Sequence, residues 1–229
     1  MTPRHAAVIT AAGSSRRFSL SSGSDIKKEF LSLGSSSVLA RSVKPFLKVP
    51  GLAALVVTYR EGDLEATRNL LSGIDFDIIF VQGGATRQQS VFNALKYLYD
   101  HEKELGIGYV SIHDGARPFV TEELVTACLK TAQELGGSCP CIRITDTLVK
   151  VDETGLLCGR LSREGVCTVQ TPQTFRFPDI YNAHLNADPG KYYTDDTEIF
   201  MDAGGKVGFV PGDVNNRKIT YACDLTEGR

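Results

Sequence analysis

The chain has 229 residues, of which 42% are apolar and 23% are charged, and its formal net charge is −2. This length fits one large domain, and the composition is that of an ordinary soluble globular protein. A surface that wraps nucleic acid usually carries a concentrated positive excess, so the charge balance argues against a nucleic-acid partner. Any cationic binding site must therefore be local.

The six cysteines lack the paired C-x-x-C spacing that is typical of a zinc site, and Cys139 and Cys141 alternate as strand residues do. No segment with a basic start and an apolar core opens the sequence, and no apolar run is long enough to cross a bilayer. We therefore expect a cytoplasmic protein with reduced thiols and no membrane partner.

The first apolar run, residues 6–9, predicts a buried strand. It enters a turn of small residues that ends on two arginines: Ala11, Ala12, Gly13, Ser14, Ser15, Arg16 and Arg17. Small residues let backbone N–H groups approach an anion closely, and the arginines can neutralise it. The turn is either a phosphate-binding loop or an ordinary strand-to-loop connection, and its spacing alone does not decide. The Ser/Gly-rich residues 18–25 predict a flexible loop.

Repeated strand and helix patterns follow between residues 35 and 135. The predicted strands cover 52–58, 76–81 and 109–113, and the predicted helices begin near Ser37, Asp63, Thr86 and Thr121. Such repeats indicate an α/β fold with a parallel sheet and helices on both faces. Polar turns at 13–17, 83–90 and 114–117 each follow an apolar strand, so we expect them to meet at one edge of the sheet.

Cations are plentiful near these turns and in the later part of the chain. Fixed cations of this kind neutralise charge on the oxygens around phosphorus, which is what phosphoryl and nucleotidyl transfer require. The candidates are Arg16, Arg17, Lys27, Lys28, Arg87, Arg117, Arg163 and Lys218.

Asp114 directly follows a predicted strand, and it is a candidate ligand for Mg²⁺, which usually takes one or two carboxylates together with substrate phosphates. The alternative is a turn aspartate that bonds its own backbone. His113 could act as a general base, but a histidine that ends a buried strand is more often structural, and we assign it no catalytic role. No nucleophile with a matched base stands out, which disfavours covalent catalysis. Ser15 and Phe18 occupy the second and third glycine positions of a G-x-G-x-x-G fingerprint, which disfavours hydride chemistry.

From residue 139 the pattern changes to short strands separated by turns. Residues 139–144 and 146–151 predict two strands, and 161–170 contains a third. We interpret them as a hairpin-like arm whose exposed apolar edge a second subunit covers, and the alternative is a small hairpin packed on the same domain. Residues 171–175 predict a rigid turn. Helices at 178–185 and 194–203 and a last strand at 206–210 follow.

Eight sequence blocks are spread over nearly the whole chain: AAGSSRRF (11–18), KKEF (27–30), GGATRQQSV (83–91), HDGARPFV (113–120), DTLVK (146–150), TPQTF (171–175), TDDTE (194–198) and GDVNNRKIT (212–220). In this order they resemble the blocks of the 2-C-methyl-D-erythritol 4-phosphate cytidylyltransferase family. The combination of HDGARP with GG-x-x-R-x-x-S is highly specific, whereas the opening glycine loop alone is not.

The resemblance implies a Rossmann-like, mostly parallel sheet of the nucleotidyltransferase type, in a single domain over 1–229. It implies a homodimer through a protruding β-arm at about 144–170. It also implies Mg²⁺-dependent transfer of CMP from CTP to the phosphate of methylerythritol phosphate, with release of pyrophosphate, in non-mevalonate isoprenoid biosynthesis.

The resemblance also implies roles for individual residues. Arg17 and Lys28 resemble the pair that stabilises the charged transition state at the α-phosphorus. Arg163, supplied by the partner's arm, and Lys218 resemble the pair that positions the sugar phosphate. Asp114 resembles the acidic residue beside metal and substrate. The other matches resemble substrate contacts: Ala11, Ala12, Gly13, Ser14, Ser15, Gly83, Arg87, Ser90, Arg117, Thr147 and Thr171.

Two positions depart from the family pattern. Ser15 stands where the family often has a second glycine, and Lys27 stands where a proline usually precedes the active-site lysine. The choice of Lys28 over Lys27 therefore rests on the residues that follow, Glu29-Phe30-Leu31. Two rival functions remain open, a cytidylyltransferase for another polyol phosphate such as ribitol 5-phosphate and a non-catalytic nucleotide-binding protein.

Overall fold

The computed structural model describes residues 3–24 and 26–225. Its strands are β1 (His5–Ala11), β2 (Ser32–Leu33), β3 (Ser36–Ser37), β4 (Leu52–Tyr59), β5 (Ile78–Gln82), β6 (Tyr109–Asp114), β7 (Gly137–Arg143), β8 (Leu148–Val151), β9 (Leu157–Leu161), β10 (Cys167–Val169), β11 (Gln173–Arg176) and β12 (Val207–Pro211). Its α-helices are α1 (Arg16–Ser22), α2 (Val38–Lys48), α3 (Leu64–Leu71), α4 (Arg87–Asp100), α5 (Glu102–Leu105), α6 (Glu122–Leu135), α7 (Asp179–Leu185) and α8 (Asp196–Asp202). Short 3-10 helices cover Lys28–Phe30 and Ala222–Leu225.

The main sheet has the strand order β10-β7-β11-β6-β1-β4-β5, and β12 also pairs with β7. The four strands β6, β1, β4 and β5 are parallel, whereas β11 runs antiparallel to both β6 and β7. The chain winds from β1 to β4 and β5 on one side and then returns to place β6 on the other side of β1. The crevice between β1 and β6 is therefore the topological switch point, where ligands of this kind of sheet bind. The predicted, mostly parallel sheet is confirmed.

The alternation of side chains along β1 divides the hydrophobic core into two layers. Ala6 and Val8 face a layer formed with α4, α7 and α8. Ala7 and Ile9 face a second layer formed with α2, α3 and α6. Helices thus cover both faces, as predicted, and β1 is held rigidly from both sides beneath the switch point.

Side-chain caps confirm three of the predicted helix starts. The hydroxyls of Ser37, Thr86 and Thr121 each accept a hydrogen bond from the backbone N–H three residues on, at 3.1, 3.1 and 3.2 Å. In the described part of the chain, no helix combines the length and the apolar content needed to cross a bilayer.

The prediction of a flexible loop over 18–25 is wrong for residues 18–22, because Arg16–Ser22 forms α1. Phe18 is only 2% exposed and packs with Leu33, Val38 and Ile219. This one buried aromatic side chain outweighs the Ser/Gly composition that favoured a loop. Asp25 lies outside the described residues.

The prediction of a turn over 171–175 is also wrong in part, because Gln173–Arg176 is strand β11. Phe175 is fully buried and its ring lies 5.0 Å from the ring of Phe200, centroid to centroid. Pairing with β6 and β7 on both sides, rather than any local pattern, makes this segment a strand.

Strands β8 and β9 form a two-stranded antiparallel sheet of their own, separate from the main sheet. Every residue of β9 is exposed. Apolar side chains on this hairpin include Val151, Leu156 and Leu157, with 58%, 67% and 71% of their surface exposed. The use of this hairpin as a dimerisation arm stays a prediction.

Candidate active site

A pocket of about 730 Å³ lies at the carboxyl ends of β1 and β6, at the switch point. The turn after β1 forms one wall, and the residues before and within the first turn of α4 form another. Lys28 and Lys218 reach the pocket from more distant segments. The three polar turns predicted to meet at one edge of the sheet therefore contribute to one site.

Charged side chains in the pocket are mostly cationic, although the whole chain carries a net charge of −2. The lining contains two carboxylates, Asp114 and Glu29. Its cations are Arg17, Lys28, Arg60, Arg87 and Lys218. Because α4 is a long helix whose first residues line the pocket, its N-terminal dipole adds further positive potential. The pocket therefore suits a polyanion such as a triphosphate.

Asp114 is the residue on which three of the cations converge. Its Oδ2 lies 2.9 Å from Lys218 Nζ and 3.3 Å from Arg117 Nε, and its Oδ1 lies 3.6 Å from Arg87 Nε. Burial raises the pKa of Asp114, but Lys218, Arg87 and Arg117 together hold it well below its usual range. Asp114 is thus a permanent anion that fixes the positions of three cations.

A second buried carboxylate lies behind Arg87. Arg87 Nη2 is 2.8 Å from Asp196 Oδ2, and Asp196 Oδ1 is 3.1 Å from His184 Nε2. Asp196 is fully buried at the start of α8. Burial raises the pKa of Asp196, whereas Arg87 and His184 lower it, and the balance lies below its ordinary value. Arg87 is therefore held between two carboxylates at the pocket wall.

His113 lies beneath the pocket with both ring nitrogens engaged. Its Nε2 is 3.2 Å from the carbonyl oxygen of Arg117, and its Nδ1 is 2.9 Å from Thr171 Oγ1. Thr171 Oγ1 also accepts a hydrogen bond from the backbone N–H of Asp114 at 3.1 Å. Burial lowers the pKa of His113 to about 4. This arrangement fits a neutral imidazole that donates from Nε2, and it agrees with the structural role expected for His113.

The turn after β1 approaches the segment after β5 closely. A Cβ on Gly83 would collide with the side chain of Ala12 and lie 2.8 Å from Ser90 Oγ, so glycine is required there. Ser90 Oγ donates to the carbonyl of Thr86 at 2.8 Å and accepts from the N–H of Gly84 at 3.0 Å. Ser90 thus shapes the wall of the pocket.

Lys27 and Lys28 have different surroundings. Lys28 lines the pocket, and burial lowers its pKa, with the nearby Lys218 and Arg17 acting in the same direction and Glu29 opposing them. Lys27 Nζ instead contacts the carbonyl oxygen of Ala11 and a carboxylate oxygen of Asp63, both at 2.9 Å. This geometry supports the choice of Lys28 as the pocket lysine.

Most of the predicted site residues lie around the pocket. Those that line it are Ala12, Gly13, Ser14, Ser15, Arg17, Lys28, Arg87, Ser90, Asp114 and Lys218. Gly83 lines a smaller adjoining pocket. Arg117 and Thr171 contact the lining residue Asp114. Ala11 precedes the lining residue Ala12, and its carbonyl oxygen accepts from Lys27.

Two predicted residues, Thr147 and Arg163, are not brought to the pocket of this chain. Both belong to the region of the β8–β9 hairpin, and Arg163 donates to the carbonyl oxygen of Thr145 within that region. Arg163 is exposed. Their predicted roles in the site therefore depend on a second copy of the chain.

Comparison with known proteins agrees with this site. The sequence model described as 2-C-methyl-D-erythritol 4-phosphate cytidylyltransferase matches residues 5–229. The chain belongs to this family.

Relatives with this description include the Geobacter metallireducens 2-C-methyl-D-erythritol 4-phosphate cytidylyltransferase, which is 36% identical over 96% of this chain and 93% of the relative. The Rhodobacter capsulatus bifunctional enzyme IspD/IspF is 39% identical over 96% of this chain but only 54% of the relative. The chain spans about half the length of such bifunctional relatives. Among solved structures, the 4-diphosphocytidyl-2C-methyl-D-erythritol synthase from Anaerococcus prevotii has a TM-score of 0.80 and 27% identity, and the match covers 98% of this chain and 93% of that one.

The side chains of the pocket can bind a divalent cation in only one way, together with substrate phosphates. Among the described residues, no group of three or more His, Cys, Asp and Glu side chains could hold a metal ion. Asp114 can supply one carboxylate, and Mg²⁺ commonly completes its ligands with substrate phosphates and water. The residues therefore fit an ion that arrives with a triphosphate rather than one held by protein alone.

Several lining residues were missed by the sequence reasoning. Arg60 directly follows β4, and the rule that ligands bind beyond the carboxyl ends of strands could have found it. Tyr192 and Thr194 reach the rim from the segment between α7 and α8, and Thr220 lies after Lys218. No strand-end pattern marks these three. Thr194 and Thr220 lie in two of the matched sequence blocks, which could have indicated them, whereas Tyr192 lies in none.

Proposed function

We propose that this chain transfers CMP from CTP to the phosphate of 2-C-methyl-D-erythritol 4-phosphate, forming 4-diphosphocytidyl-2-C-methyl-D-erythritol and pyrophosphate. The observation that carries the proposal is the cationic pocket at the switch point, in a chain that belongs to the cytidylyltransferase family. Five cations and the N-terminus of α4 suit a nucleoside triphosphate, and we assign Lys218 to the second phosphate.

The chemistry follows from the charges that the pocket presents. An oxygen of the methylerythritol phosphate attacks the α-phosphorus of CTP in line, a new P–O bond forms, and the bond from the α-phosphorus to the bridging oxygen of pyrophosphate breaks. Negative charge spreads over the oxygens around the α-phosphorus in the transition state. Arg17 and Lys28 stabilise that charge without proton transfer. Lys218 and Arg163 position the attacking phosphate.

No strong general base is needed for this reaction, because the attacking phosphate oxygen is already anionic near neutral pH. His113, which directly precedes Asp114, is buried. Its Nε2 contacts the carbonyl oxygen of Arg117, and its Nδ1 contacts the hydroxyl of Thr171. Its pKa of about 4 keeps it neutral at neutral pH. The role of His113 is therefore to hold neighbouring groups in place.

Asp114 would hold a divalent cation, Mg²⁺, together with the phosphates of CTP. Such a cation supplies charge neutralisation on the phosphate oxygens when it is bound. Asp114 Oδ1 has the longer contact, 3.6 Å to Arg87, and is the oxygen that is more readily available. Arg87 and Arg117 keep the carboxylate ionised and oriented.

The remaining proposals concern assembly and location. We place the 1–229 chain in a single nucleotidyltransferase domain that dimerises through the β-arm at about 144–170, whose apolar side chains are exposed in one copy. Arg163 then reaches the partner's pocket. Free thiols at Cys128, Cys139 and Cys141 are compatible with a reducing cytoplasm.

The proposed function is tested by pyrophosphate release from CTP and Mg²⁺ with one polyol phosphate added at a time. We expect pyrophosphate release with methylerythritol phosphate and none with the other polyol phosphates, or a kcat/KM for methylerythritol phosphate at least 100-fold above that for ribitol 5-phosphate. Preference for ribitol 5-phosphate would assign the rival cytidylyltransferase activity. CTP binding without pyrophosphate release from any of them would assign a non-catalytic nucleotide-binding protein.

A further inference from the structure

The segment that carries the pocket lysine, residues 27–30, packs against the turn after β1, residues 11–17. Lys27 is buried, with 10% of its side chain exposed, and its Nζ donates to the carbonyl oxygen of Ala11 at 2.9 Å. The same Nζ lies 2.9 Å from Asp63 Oδ2, at the start of α3. One ammonium group therefore joins the end of β1, the lysine segment and α3.

A second contact joins the same two segments further along the turn. Ser15 Oγ donates to Glu29 Oε2 at 3.0 Å and accepts from the backbone N–H of Lys28 at 3.4 Å. Ser15 has φ 52° and ψ 20°, a left-handed conformation that is unfavourable for a residue with a Cβ. The hydrogen bonds to the lysine segment compensate for this unfavourable backbone.

We call the Lys27–Ala11 and Ser15–Glu29 contacts the two-point link. Its two contacts hold residues 11 and 15 of the turn against Lys27 and Glu29 of the lysine segment. Lys28 lies between them, and Arg17 follows the second one in α1. The relative positions of Arg17 and Lys28 are therefore set by this link.

The Lys27 ammonium is buried, so the link requires that its charge be paired and hydrogen-bonded. A buried ammonium is unfavourable unless it is paired and hydrogen-bonded, and here both the carbonyl of Ala11 and the carboxylate of Asp63 satisfy it. Ala11 in turn donates its own N–H to Thr58 Oγ1 at 3.2 Å. The end of β1 is thus fixed by side chains from two different segments.

We propose that Lys27 is a positioning residue, which holds the turn after β1 against the lysine segment and so sets the distance between Arg17 and Lys28 at the reacting phosphate. Lys27 itself does not line the pocket. The proposal rests on the proposed cytidylyltransferase function, because its effect is expressed through Lys28 in the reaction.

The test compares the Lys27→Met variant with a matched control, Lys44→Met, after the wild-type chain has been assayed. Met keeps the apolar stem and removes the ammonium. Lys44 is an exposed lysine on α2 whose ammonium bonds to Ser36 in the contacts described. We expect Lys27→Met to lower kcat about tenfold, with KM for both substrates changed less than threefold, and Lys44→Met to stay within threefold of wild type.

A double-mutant cycle separates positioning from a general structural effect. If Lys27 acts through Lys28, the tenfold loss shrinks to less than threefold when Lys27→Met is made in a Lys28→Gln background. Lys27→Arg, whose guanidinium can donate to both Ala11 and Asp63, should restore kcat to within threefold of wild type. The proposal would be overturned if Lys27→Met lowered the thermal midpoint but left kcat unchanged. It would also be overturned if Lys27→Met lowered kcat by the same factor in the Lys28→Gln background as in the wild type.

Ser15→Gly keeps the proposal testable if Lys27→Met does not fold. Glycine removes the second contact, keeps both contacts of Lys27 and relieves the left-handed backbone, so this variant should fold. We expect a several-fold lower kcat that again shrinks in the Lys28→Gln background, and a loss independent of Lys28 contradicts the link. A wild-type chain that is inactive with every polyol phosphate refutes the proposed function, whereas an active wild type with an equally active Lys27→Met refutes only this inference.

Discussion

Arg16 and Arg17 are adjacent in the sequence. Of these two arginines, Arg17 lines the pocket and Arg16 does not. Both side chains are exposed, so neither is required by packing. Because α1 begins at Arg16, the two side chains leave the helix in directions about 100° apart. The direction of the side chain therefore distinguishes Arg17, which lines the pocket, from Arg16, which does not. Variants of the two arginines can measure the consequence for activity.

Arg17→Gln should lower kcat by about 10²–10³, because it removes one fixed cation from the charge that develops at the α-phosphorus. Arg16→Gln is the matched control, and we expect its kcat within threefold of wild type. Steady-state pyrophosphate release measures both. Equal losses in the two variants would show that the arginines act through overall charge rather than through a contact.

His113 should make the free energy of unfolding depend on pH. Its pKa is lowered from 6.5 to about 4 by burial, so the unfolded chain binds a proton between these values that the folded chain does not. The contribution of neutral His113 to the free energy of unfolding is fully present above pH 6.5. It is lost as the pH falls towards 4, by about 3 kcal/mol in total. The pKa of buried His5 is also lowered by burial and acts in the same direction.

Urea unfolding of the wild type and of His113→Asn at pH 7 and pH 4.5 checks this. Asn can still accept the hydrogen bond from Thr171 and does not titrate. We expect the drop in the free energy of unfolding between the two pH values to be smaller in the variant by about 2 kcal/mol. An identical drop in both proteins would mean that His113 does not titrate as described.

At the scale of elements, α1 depends on one buried side chain. Phe18→Ala should cost about 3 kcal/mol, because it leaves a cavity beside Leu33, Val38 and Ile219. It should also raise KM for CTP, since Arg17 is carried by the same short helix. Leu20→Ala, at a position that is 86% exposed, is the control and should change neither quantity. Chemical unfolding and steady-state kinetics distinguish the two variants.

Elements with a local signal were predictable from the sequence. The helix that starts at Thr86 was found from its capping residue, and β4 from its apolar run. Strand β11 was not, because its conformation comes from pairing with β6 and β7 rather than from its own residues. Likewise Phe18 gives no local sign that Ile219, far along the chain, will bury it.

The candidate site shows the same division. The family resemblance predicted Asp114, Lys218 and Lys28 as site residues, and all three line one pocket. The contact between Arg87 and Asp196 was not predicted, because it joins α4 to α8 across the core. A pairing of this kind depends on the tertiary fold, which no short motif encodes.

At the scale of the whole molecule, the proposed dimer would account for both the exposed apolar hairpin and the position of Arg163 away from the pocket of its own chain. If each arm completes the partner's site, two variants of low activity should complement each other. Mixed dimers of Arg163→Gln and Lys28→Gln would contain one site with both wild-type residues and one with neither.

Random mixing makes half of the dimers mixed, so we expect about a quarter of wild-type activity after the two variants are unfolded and refolded together. Each variant refolded alone is the control. Sedimentation should show dimers in all three samples. No recovery in a dimeric mixture would place Arg163 in the site of its own chain or outside both.

The central claim is tested most directly by the mass of the product formed from CTP and Mg²⁺ with equal amounts of methylerythritol phosphate and ribitol 5-phosphate. We predict a single cytidine diphosphate product whose mass is that of 4-diphosphocytidyl-2-C-methyl-D-erythritol, together with one pyrophosphate per product. A product with the mass of the ribitol adduct, or no cytidine diphosphate product at all, would contradict the account.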